Sequence, residues 1–508
     1  MEDKMLLAAA VAIVVVVLSK LKSLLVPKPK LNLPPGPWTL PVIGSIHHLV
    51  GSSSTFRAMR GLAQKHGPLM MLWLGEVPTL VVSSPEAAQA VMKTHDTNFA
   101  DRFANPSFSV ITYDCTDVVF GRYGERWRQL RKICVLELLS VARVQSFRRI
   151  REEEVARFMQ SLAASAGAGT AVNLSKGISR LINDTIVRES VGSRCKYQDE
   201  YLDAIDTAVH QLSGMSLADI FPSSKLMQML GTAPRKVLAC RERMQRIIMQ
   251  IVQEKKEAMG RGEQEQVAAG HDGFLGVLLR LQKEGNTPVP LTDDTIYTVL
   301  FDMFAAGSET SSTFLNWCMT ELVRSPALMA KAQAEVREAC KGKVAITEDD
   351  LARLTYLKLV IKETLRLHAP LPLALPRMCR ETCQIMGYDI PKGTSVFVNV
   401  WAIARDPKYW DDAEEFKPER FENSNLDYKG ANFVYLPFGS GRRICPGINI
   451  GLANVELALT SLLYHFDWNL TDGIEPKDID MEEANGVVGK KKTSLILHPI
   501  TRIAPANA

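Results

Sequence analysis

The sequence contains no C-x-x-C pair, although nine of its 508 residues are cysteines. This lack of paired spacing argues against a zinc ribbon and against a disulfide framework. The nearest pair along the chain, Cys379 and Cys383, is interpreted as two unrelated reduced thiols. Unpaired cysteines of this kind indicate a reducing compartment.

A strong excess of charge of one sign is also missing. Lysine and arginine total 60 against 56 aspartates and glutamates, so the formal net charge is only +4. That balance is too mild to indicate a nucleic-acid partner, and we find no RNA- or DNA-binding signature. We find no dinucleotide or flavin fingerprint either, so a redox reaction would need electrons from another protein. A composition of 46% hydrophobic and 23% charged residues is typical of a globular protein with a large core.

A long apolar stretch lies at the N-terminus. Met5–Leu18 is unbroken, and the hydrophobic character continues to Val26. At about 1.5 Å per residue, a helix over this stretch reaches roughly 33 Å, enough to cross a bilayer. A cleaved signal peptide would end in small residues, whereas lysines follow here, and the acidic residues ahead of the span place the rest of the chain in the cytosol. We therefore divide the chain into a membrane anchor (1–26), a proline-rich hinge (27–37) and a globular domain (38–508).

The globular domain shows mostly helical patterns. Two short β-rich runs, Leu69–Leu74 and Thr79–Val82, are separated by Gly75 and Pro78 and predict a pair of strands. Residues 140–260 show mainly amphipathic helical spacing. The pattern predicts a mainly α fold with small β sheets.

The most informative stretch is the decapeptide at residues 438–447, Phe-Gly-Ser-Gly-Arg-Arg-Ile-Cys-Pro-Gly, which precedes a helix-patterned run at 448–464. Cys445 therefore lies just before a helix N-terminus, where backbone N–H groups and the helix dipole favour a thiolate, and Arg443 adds a positive charge. The loop also contains Gly441 and Gly447, which let the backbone turn tightly and approach a flat ligand closely. A cysteine alone would be read as an ordinary buried residue, but the full pattern fixes five positions.

This decapeptide resembles the haem-binding loop of the cytochrome P450 family. The resemblance implies that residues 38–508 form a P450 catalytic domain and that Cys445 is the axial ligand of the iron of haem b, whose thiolate favours O–O cleavage. It also implies an NADPH-cytochrome P450 reductase as the electron donor, so that NADPH and flavins act only through that partner. Cytochrome b5 is a second candidate donor.

Further positions match the family's haem propionate ligands. Trp127 and Arg131 lie four residues apart on a predicted helix at 124–139 and so share one face. Without the family pattern they would be read as a packed stacking pair. Arg377, after a proline, and Arg443 match further propionate-binding arginines. The other basic residues of the helix, Arg126, Arg128 and Lys132, form either a solvated face or a docking patch for an acidic reductase.

A second cluster lies within a predicted long helix. Thr292 is a plausible N-cap, with acids in the first turn and Pro326 closing the helix about 30 residues later. Its centre, residues 306–311, is Ala-Gly-Ser-Glu-Thr-Ser, which resembles the family's oxygen-binding groove. By that match Thr310 hydrogen-bonds dioxygen at the haem and Glu309 relays protons. The competing interpretation is hydroxyls that bond back to helix carbonyls.

The Glu-x-x-Arg spacing of Glu363 and Arg366 is common in this chain, and only a later Pro-Glu-Arg-Phe run at 418–421 distinguishes it. In the family, the equivalent of Arg420 completes a buried Glu-Arg-Arg cluster. We interpret these three residues as structural.

The segments that line the substrate pocket of the family correspond here to largely apolar residues, which would suit a hydrocarbon-like substrate. Some of them could instead simply fill the core, and we assign no role to the neighbouring Asp302. The candidate pocket residues are Phe108, Val110, Phe301, Phe304, Ala305, Ala306, Leu371, Leu373, Ala374, Leu375, Val487 and Val488.

Nearly the whole chain resembles the plant A-type branch of the family, and within it grass members that oxidise sesquiterpene and diterpene olefins in defence metabolism, such as the zealexin synthases. The expected reaction is hydroxylation, with successive oxidation to a carboxylic acid as an extension. The expected location is the endoplasmic reticulum membrane, with a single span and a cytosolic catalytic domain. The alternatives are oxidation of another apolar plant metabolite, or a haem-thiolate isomerase or dehydratase that needs no external electrons.

Overall fold

The computed structural model describes residues 31–506, except 53, 195, 213–215, 261–272, 472 and 485. The predicted membrane anchor and the first part of the predicted hinge lie outside these residues. Within the described part of the chain, no helix is both long and apolar enough to span a bilayer.

Helices make up most of the structure, as the patterns predicted. In chain order they are α1 (Thr55–His66), α2 (Pro85–Gln89), α3 (Pro106–Ile111), α4 (Glu125–Ile133), α5 (Val141–Ser146), α6 (Arg148–Gly167), α7 (Leu174–Val191), α8 (Gln198–Gln211), α9 (Leu217–Ile220), α10 (Lys225–Leu230), α11 (Ala233–Gly260), α12 (Phe274–Glu284), α13 (Asp293–Arg324), α14 (Pro326–Ala339), α15 (Thr355–Leu367), α16 (Val400–Ile403) and α17 (Ile448–His465).

The strands form three small sheets in the described residues. A five-stranded sheet has the order β1-β2-β8-β5-β3, a three-stranded sheet has the order β4-β10-β9, and β6 pairs with β7. The strands are β1 (Leu69–Leu74), β2 (Val77–Val82), β3 (Asp101–Arg102), β4 (Val172–Asn173), β5 (Arg377–Met378), β6 (Cys383–Ile385), β7 (Tyr388–Ile390), β8 (Ser395–Val398), β9 (Phe466–Leu470) and β10 (Ile496–Thr501).

The predicted pair of strands near the N-terminus is confirmed, with one correction. β1 and β2 are antiparallel neighbours, but β2 begins at Val77, so Pro78 lies inside the strand opposite Trp73. A proline has no N–H to donate and is tolerated in a strand only where no partner carbonyl needs that donor. The parallel contact of β2 with β8 begins one residue later, at Thr79.

Helix α13 runs through the middle of the largest hydrophobic cluster and organises the helical part. Its predicted start is confirmed, because the Thr292 side chain accepts a hydrogen bond from the Thr295 N–H. It ends at Arg324, and Pro326 then opens α14. Gly307 lies where α13 packs against α7, since a Cβ there would be 3.2 Å from Ile186 Cδ1. The glycine therefore has a packing role that the sequence did not reveal.

Candidate active site

The cysteine loop places Cys445 three residues before α17. A short 3₁₀ turn over Gly441–Arg443 reverses the chain, and the Cys445 N–H donates to the Phe438 carbonyl at 3.0 Å. Gly441 has a φ of +70°, and a Cβ there would lie 2.1 Å from the Met92 carbonyl oxygen. Gly441 is thus required by the turn of the backbone and by its close approach to the Met92 carbonyl. A Cβ on Gly447, by contrast, would lie 3.9 Å from Cys445 Sγ, so this glycine keeps the space near the sulfur open.

The protein environment of the Cys445 sulfur acts in both directions. Burial raises the pKa of the thiol, while the Gly447 N–H and the Arg131 guanidinium lower it. Arg131 donates to the carbonyl of Ile444, next to Cys445. The arginine that acts on this sulfur is therefore Arg131, whereas the sequence suggested Arg443.

Arg443 is held on the other side of the loop. Its guanidinium donates to the carbonyls of Ala100 and Gly121 and stacks over the Trp127 ring at 4.1 Å. Trp127 in turn donates its indole N–H to the Val118 carbonyl at 2.9 Å. The two residues predicted as propionate ligands on different elements thus contact each other directly.

Arg377 reaches the same region from β5. Its guanidinium donates to the Ser440 carbonyl at 3.0 Å and lies 3.5 Å from Asp96 Oδ1. Burial lowers the pKa of Arg377 to about 10, although Asp96 opposes this shift. Burial also lowers the pKa of Arg443 to about 10, and repulsion from Arg377 adds to the effect.

A fourth arginine, Arg102, joins this group and was not predicted. It lies on β3, paired with Arg377 on β5, and donates to the carbonyls of Val119 and Leu375 at 3.1 and 2.8 Å. Burial, followed by repulsion from Arg443 and Arg377, holds the pKa of Arg102 well below its ordinary value. A two-residue strand gives no periodic pattern in the sequence. The role of Arg102 therefore became visible only from its position in the structure, between the sheet and the cysteine loop.

These buried guanidiniums repel one another, and an anionic ligand would relieve that repulsion. A haem fits this requirement, because its two propionates are carboxylates and its iron accepts a thiolate. Arg102, Arg131, Arg377 and Arg443 would hold the propionate side, and Cys445 would supply the sulfur. The donor set of this chain is therefore consistent with haem.

The centre of α13 lies beside the start of α17, since a Cβ on Gly451 would be 3.5 Å from Ser311 Oγ. Ala306 is exposed and Thr310 is half-buried, although most residues of α13 are buried. The Thr310 hydroxyl donates to the Ala306 carbonyl at 2.6 Å. Back-bonding of this kind was the competing interpretation of the motif, and it leaves the hydroxyl oxygen available as an acceptor.

Glu309 does not share the open face of Ala306. Its side chain is 11% exposed, and Oε1 lies 3.2 Å from Lys490 Nζ. The same ammonium group lies 2.6 Å from Asp206 Oδ1 on α8. A lysine and an exposed aspartate therefore link the predicted proton-relay acid to the protein surface.

Glu363, Arg366 and Arg420 come together as a buried cluster. Glu363 lies 2.8 Å from Arg366 and 2.9 Å from Arg420, and both Glu363 and Arg366 are fully buried. Arg366 also donates to the carbonyls of Ala404 and Ala413. The cluster joins α15 to the segment that precedes the cysteine loop.

Asp302, to which we assigned no role, faces the 112–120 loop. Its carboxylate accepts the Val118 N–H at 2.8 Å, and the nearby Asp117 accepts the Phe120 N–H at 3.1 Å. Burial and the proximity of Asp117 raise the pKa of Asp302 well above its ordinary value. The acid pair thus fixes the loop that carries Phe120, the ring stacked on Phe108 at 4.3 Å.

A cavity of about 370 Å³ lies between the five-stranded sheet, α1 and the α8–α9 region. Four of the predicted pocket residues line it: Phe108, Leu373, Ala374 and Val487. Its lining does not include Thr310 or Cys445. Leu375 packs against the cluster formed by Phe108 and Phe120.

The other predicted pocket residues lie elsewhere. Phe301 and Phe304 are buried in the large helical core, with Val110 and Ala305 packed against it. Val488 is buried and Leu371 is half-buried. The set is therefore divided between the cavity and the large hydrophobic cluster. Lining residues that the sequence did not single out include Phe103, Leu212 and Ile220.

The fold and the residues around Cys445 fit a haem protein, and the comparison with known families agrees. Residues 34–497 match the family model of cytochrome P450, so the chain belongs to the cytochrome P450 family. It is a P450 monooxygenase that uses haem and receives electrons from NADPH through a reductase.

The chain is similar over its full length to named plant enzymes. It is 68% identical to dolabradiene monooxygenase and 67% identical to zealexin A1 synthase, both of Zea mays, with 100% of each chain covered. It is 59% identical to ent-isokaurene C2/C3-hydroxylase of Oryza sativa subsp. japonica, again over 100% of both chains. The resemblance to grass terpenoid oxidases is thus confirmed.

Solved structures share the fold. A zebra fish cytochrome P450 with progesterone superposes with a TM-score of 0.74 at 24% identity, covering 88% of this chain and 99% of that one. A structure of the zebra fish protein with abiraterone gives a TM-score of 0.71 at the same identity and coverage. The predicted helix-rich P450 fold is thereby confirmed.

Proposed function

We propose that this P450 oxidises a sesquiterpene or diterpene olefin in plant defence metabolism, by hydroxylation and, as an extension, by successive steps to a carboxylic acid. The observation that carries the proposal is the full-length identity of 68% and 67% to the two maize enzymes named for dolabradiene and zealexin A1. Enzymes this similar keep the same fold and most of the same site, so a related substrate class is expected.

The cavity described above, which lies apart from Cys445 and Thr310, supports an apolar ligand at the part of the predicted pocket formed by Phe108, Leu373, Ala374 and Val487. Its volume of about 370 Å³ lies within the range of roughly 300–1,000 Å³ typical of ligand pockets. Phe103, Phe108, Leu212, Leu373 and Val487 give it an apolar wall. A hydrocarbon bound against this wall would be oriented mainly by shape, while polar lining residues such as Asn105 and Asp219 could orient an oxygenated group.

The residues around the haem have separate roles in this proposal. Bound haem supplies the reductive activation of dioxygen that oxygen insertion requires. In this proposal Cys445 would bind the haem iron through its thiolate, and the propionates would be held by Arg102, Trp127, Arg131, Arg377 and Arg443. The buried cluster of guanidiniums supports this assignment, since repulsion between them needs an anionic counterpart.

Thr310 and Glu309 hold and move protons at the centre of α13. The Thr310 hydroxyl donates to the Ala306 carbonyl at 2.6 Å, so its oxygen can accept a hydrogen bond and its position is fixed on the same face of α13 as Ala306. Glu309, the preceding residue, takes protons from the solvent side and passes them toward Thr310.

The N-terminal segment anchors the enzyme in the endoplasmic reticulum with its catalytic domain in the cytosol, where a reductase and, as a second donor, cytochrome b5 can dock. Arg128 and Lys132 on α4 are exposed and support a basic docking surface, whereas Arg126 is half-buried and donates to Thr295. Deleting residues 1–26 should yield a haem-containing protein that no longer sediments with microsomes. Continued tight membrane association would show that other segments also bind the membrane.

The substrate is tested by incubating microsomes that contain this protein and a plant P450 reductase with a panel of terpene olefins, and analysing products by mass spectrometry. We expect oxygenated products that require NADPH and dioxygen, with Cys445→Ser as the matched inactive control. Turnover of other apolar metabolites but of no terpene would reject the substrate class and keep the monooxygenase. Products formed without NADPH would favour an isomerase or dehydratase.

A further inference from the structure

The loop that carries Lys490 approaches the centre of α13 from the C-terminal part of the chain. Its tip is fixed at Gly489, whose N–H donates to the Pro370 carbonyl at 2.9 Å and whose carbonyl accepts the Trp317 indole N–H at 2.8 Å. Trp317 is completely buried and lies on α13, the same helix as Glu309. The helix therefore holds the loop at one point and meets its lysine at another.

The three charged side chains form a gradient from solvent to core. Asp206 on α8 is 65% exposed, Lys490 is 39% exposed and Glu309 is 11% exposed. Lys490 Nζ lies between the two carboxylates, at 2.6 Å from Asp206 and 3.2 Å from Glu309. The arrangement gives the buried acid a cationic neighbour that itself reaches the surface.

Within the described part of the protein, the negative charge of Glu309 is stabilised by Lys490. Its Oε1 atom is buried and receives no hydrogen bond of good geometry there. A buried carboxylate without a donor or a cation would become protonated, because desolvation penalises its charged form. Although burial opposes it, attraction to Glu309 and Asp206 raises the pKa of Lys490, so the group opposite Glu309 is an ammonium ion.

We propose that Lys490 is a positioning residue for proton delivery: its ammonium group stabilises the Glu309 carboxylate that exists after Glu309 releases a proton toward Thr310 and before it takes one back from solvent. This inference rests on the proposed role of Glu309. Without the cation, Glu309 would hold its proton more tightly and release it more slowly. Electrons would then be consumed without oxygen insertion, and hydrogen peroxide would be released.

A purely structural interpretation is that the ion pairs of Lys490 only hold its loop against α8 and α13. The two interpretations differ for Asp206→Asn, which weakens the exposed half of the network and leaves the Glu309 contact in place. Exposed ion pairs contribute little to stability. A structural tie predicts similar effects for Asp206→Asn and Lys490→Met, whereas the counter-ion proposal predicts a large effect only for Lys490→Met.

The first test compares coupling in the haem-loaded enzyme with reductase, as product and hydrogen peroxide formed per NADPH consumed. A general acid contributes about 10²–10⁴-fold, and Lys490 acts through one, so Lys490→Met should lower product per NADPH by roughly tenfold. Lys490→Arg should restore most of it, because the charge remains. The matched control is Lys492→Met, since Lys492 pairs with Glu482 on the surface of the same segment at 2.6 Å and should leave coupling unchanged.

The second test needs no turnover. Infrared difference spectra of the resting enzyme are recorded with glutamate labelled by ¹³C. Lys490→Met should show the C=O band of a protonated carboxylic acid. The band should be absent from the unsubstituted enzyme and from the double variant that carries both Glu309→Gln and Lys490→Met. The proposal would be overturned if Glu309→Gln uncouples the enzyme but Lys490→Met shows normal coupling and no such band. If Glu309→Gln itself stays fully coupled, the proposed relay fails instead.

Discussion

Replacing Glu363 with glutamine tests the buried cluster that joins α15 to the segment before the cysteine loop. Glu363 is fully buried and lies 2.8 Å from Arg366 and 2.9 Å from Arg420. Glutamine keeps the shape of the side chain and one acceptor oxygen but removes the negative charge. Two guanidiniums, one fully buried, would then lose their shared counter-ion.

The expected cost follows from the burial. Removing one partner of a buried ion pair costs about 3–5 kcal/mol, because an uncompensated charge remains in the interior. Arg366 keeps its bonds to the carbonyls of Ala404 and Ala413, so we expect the lower part of that range, about 3 kcal/mol. Against a total stability of about 5–15 kcal/mol, the loss is large.

The assay is a urea titration of the haem-loaded protein, followed by the spectrum of the reduced carbon monoxide complex and by far-ultraviolet circular dichroism. The matched control is Asp199→Asn, which removes an exposed pair with Arg180 at 2.6 Å and should cost about 0–1 kcal/mol. Overlapping titrations of Glu363→Gln and the control would refute the reasoning. Normal stability together with lost turnover would instead give Glu363 a catalytic role.

Three further substitutions test the haem site. Cys445→Ser should abolish the thiolate-type spectrum of the reduced carbon monoxide complex, and an unchanged spectrum would place the ligand elsewhere. Thr310→Ala should retain haem but convert NADPH consumption largely into hydrogen peroxide; full coupling would contradict the proposed relay. Arg102→Gln should weaken haem affinity about 10- to 100-fold in a haem-transfer titration, since a charge-assisted hydrogen bond contributes about 1.5–3 kcal/mol. The control is Arg380→Gln, whose partly exposed side chain pairs with Asp101, and equal affinities in the two variants would remove Arg102 from the propionate group.

Local patterns predicted the elements that carry their own signals. The N-cap at Thr292 and the proline at 326 bound α13 correctly, because capping and chain stiffness act over a few residues. The loop before α17 was recognisable for a similar reason, since its spacing is short and contiguous.

Contacts between distant segments could not be predicted in the same way. Arg102 joins the arginine group only because β3 pairs with β5. Its partner in that pairing, Arg377, lies 275 positions later in the chain. Lys490 meets Glu309 through a loop held by Trp317, and nothing in the local sequence of either residue indicates that pairing. The candidate pocket residues come from several distant segments for the same reason, and local sequence does not show that Phe301 and Phe304 pack into the large hydrophobic cluster.

The parallel pairing of β2 with β8 has a consequence for synthesis of the chain. Thr79 pairs with Ser395, 316 positions later, so the N-terminal hairpin leaves the ribosome long before its neighbour exists. At about 5–20 residues per second, that interval lasts roughly 15–60 s. During this time the apolar edge of β2 lacks its parallel neighbour, and edge strands in that state invite aggregation. Chaperone supply during translation should therefore govern the yield of this protein in a foreign host more than the stability of its finished fold.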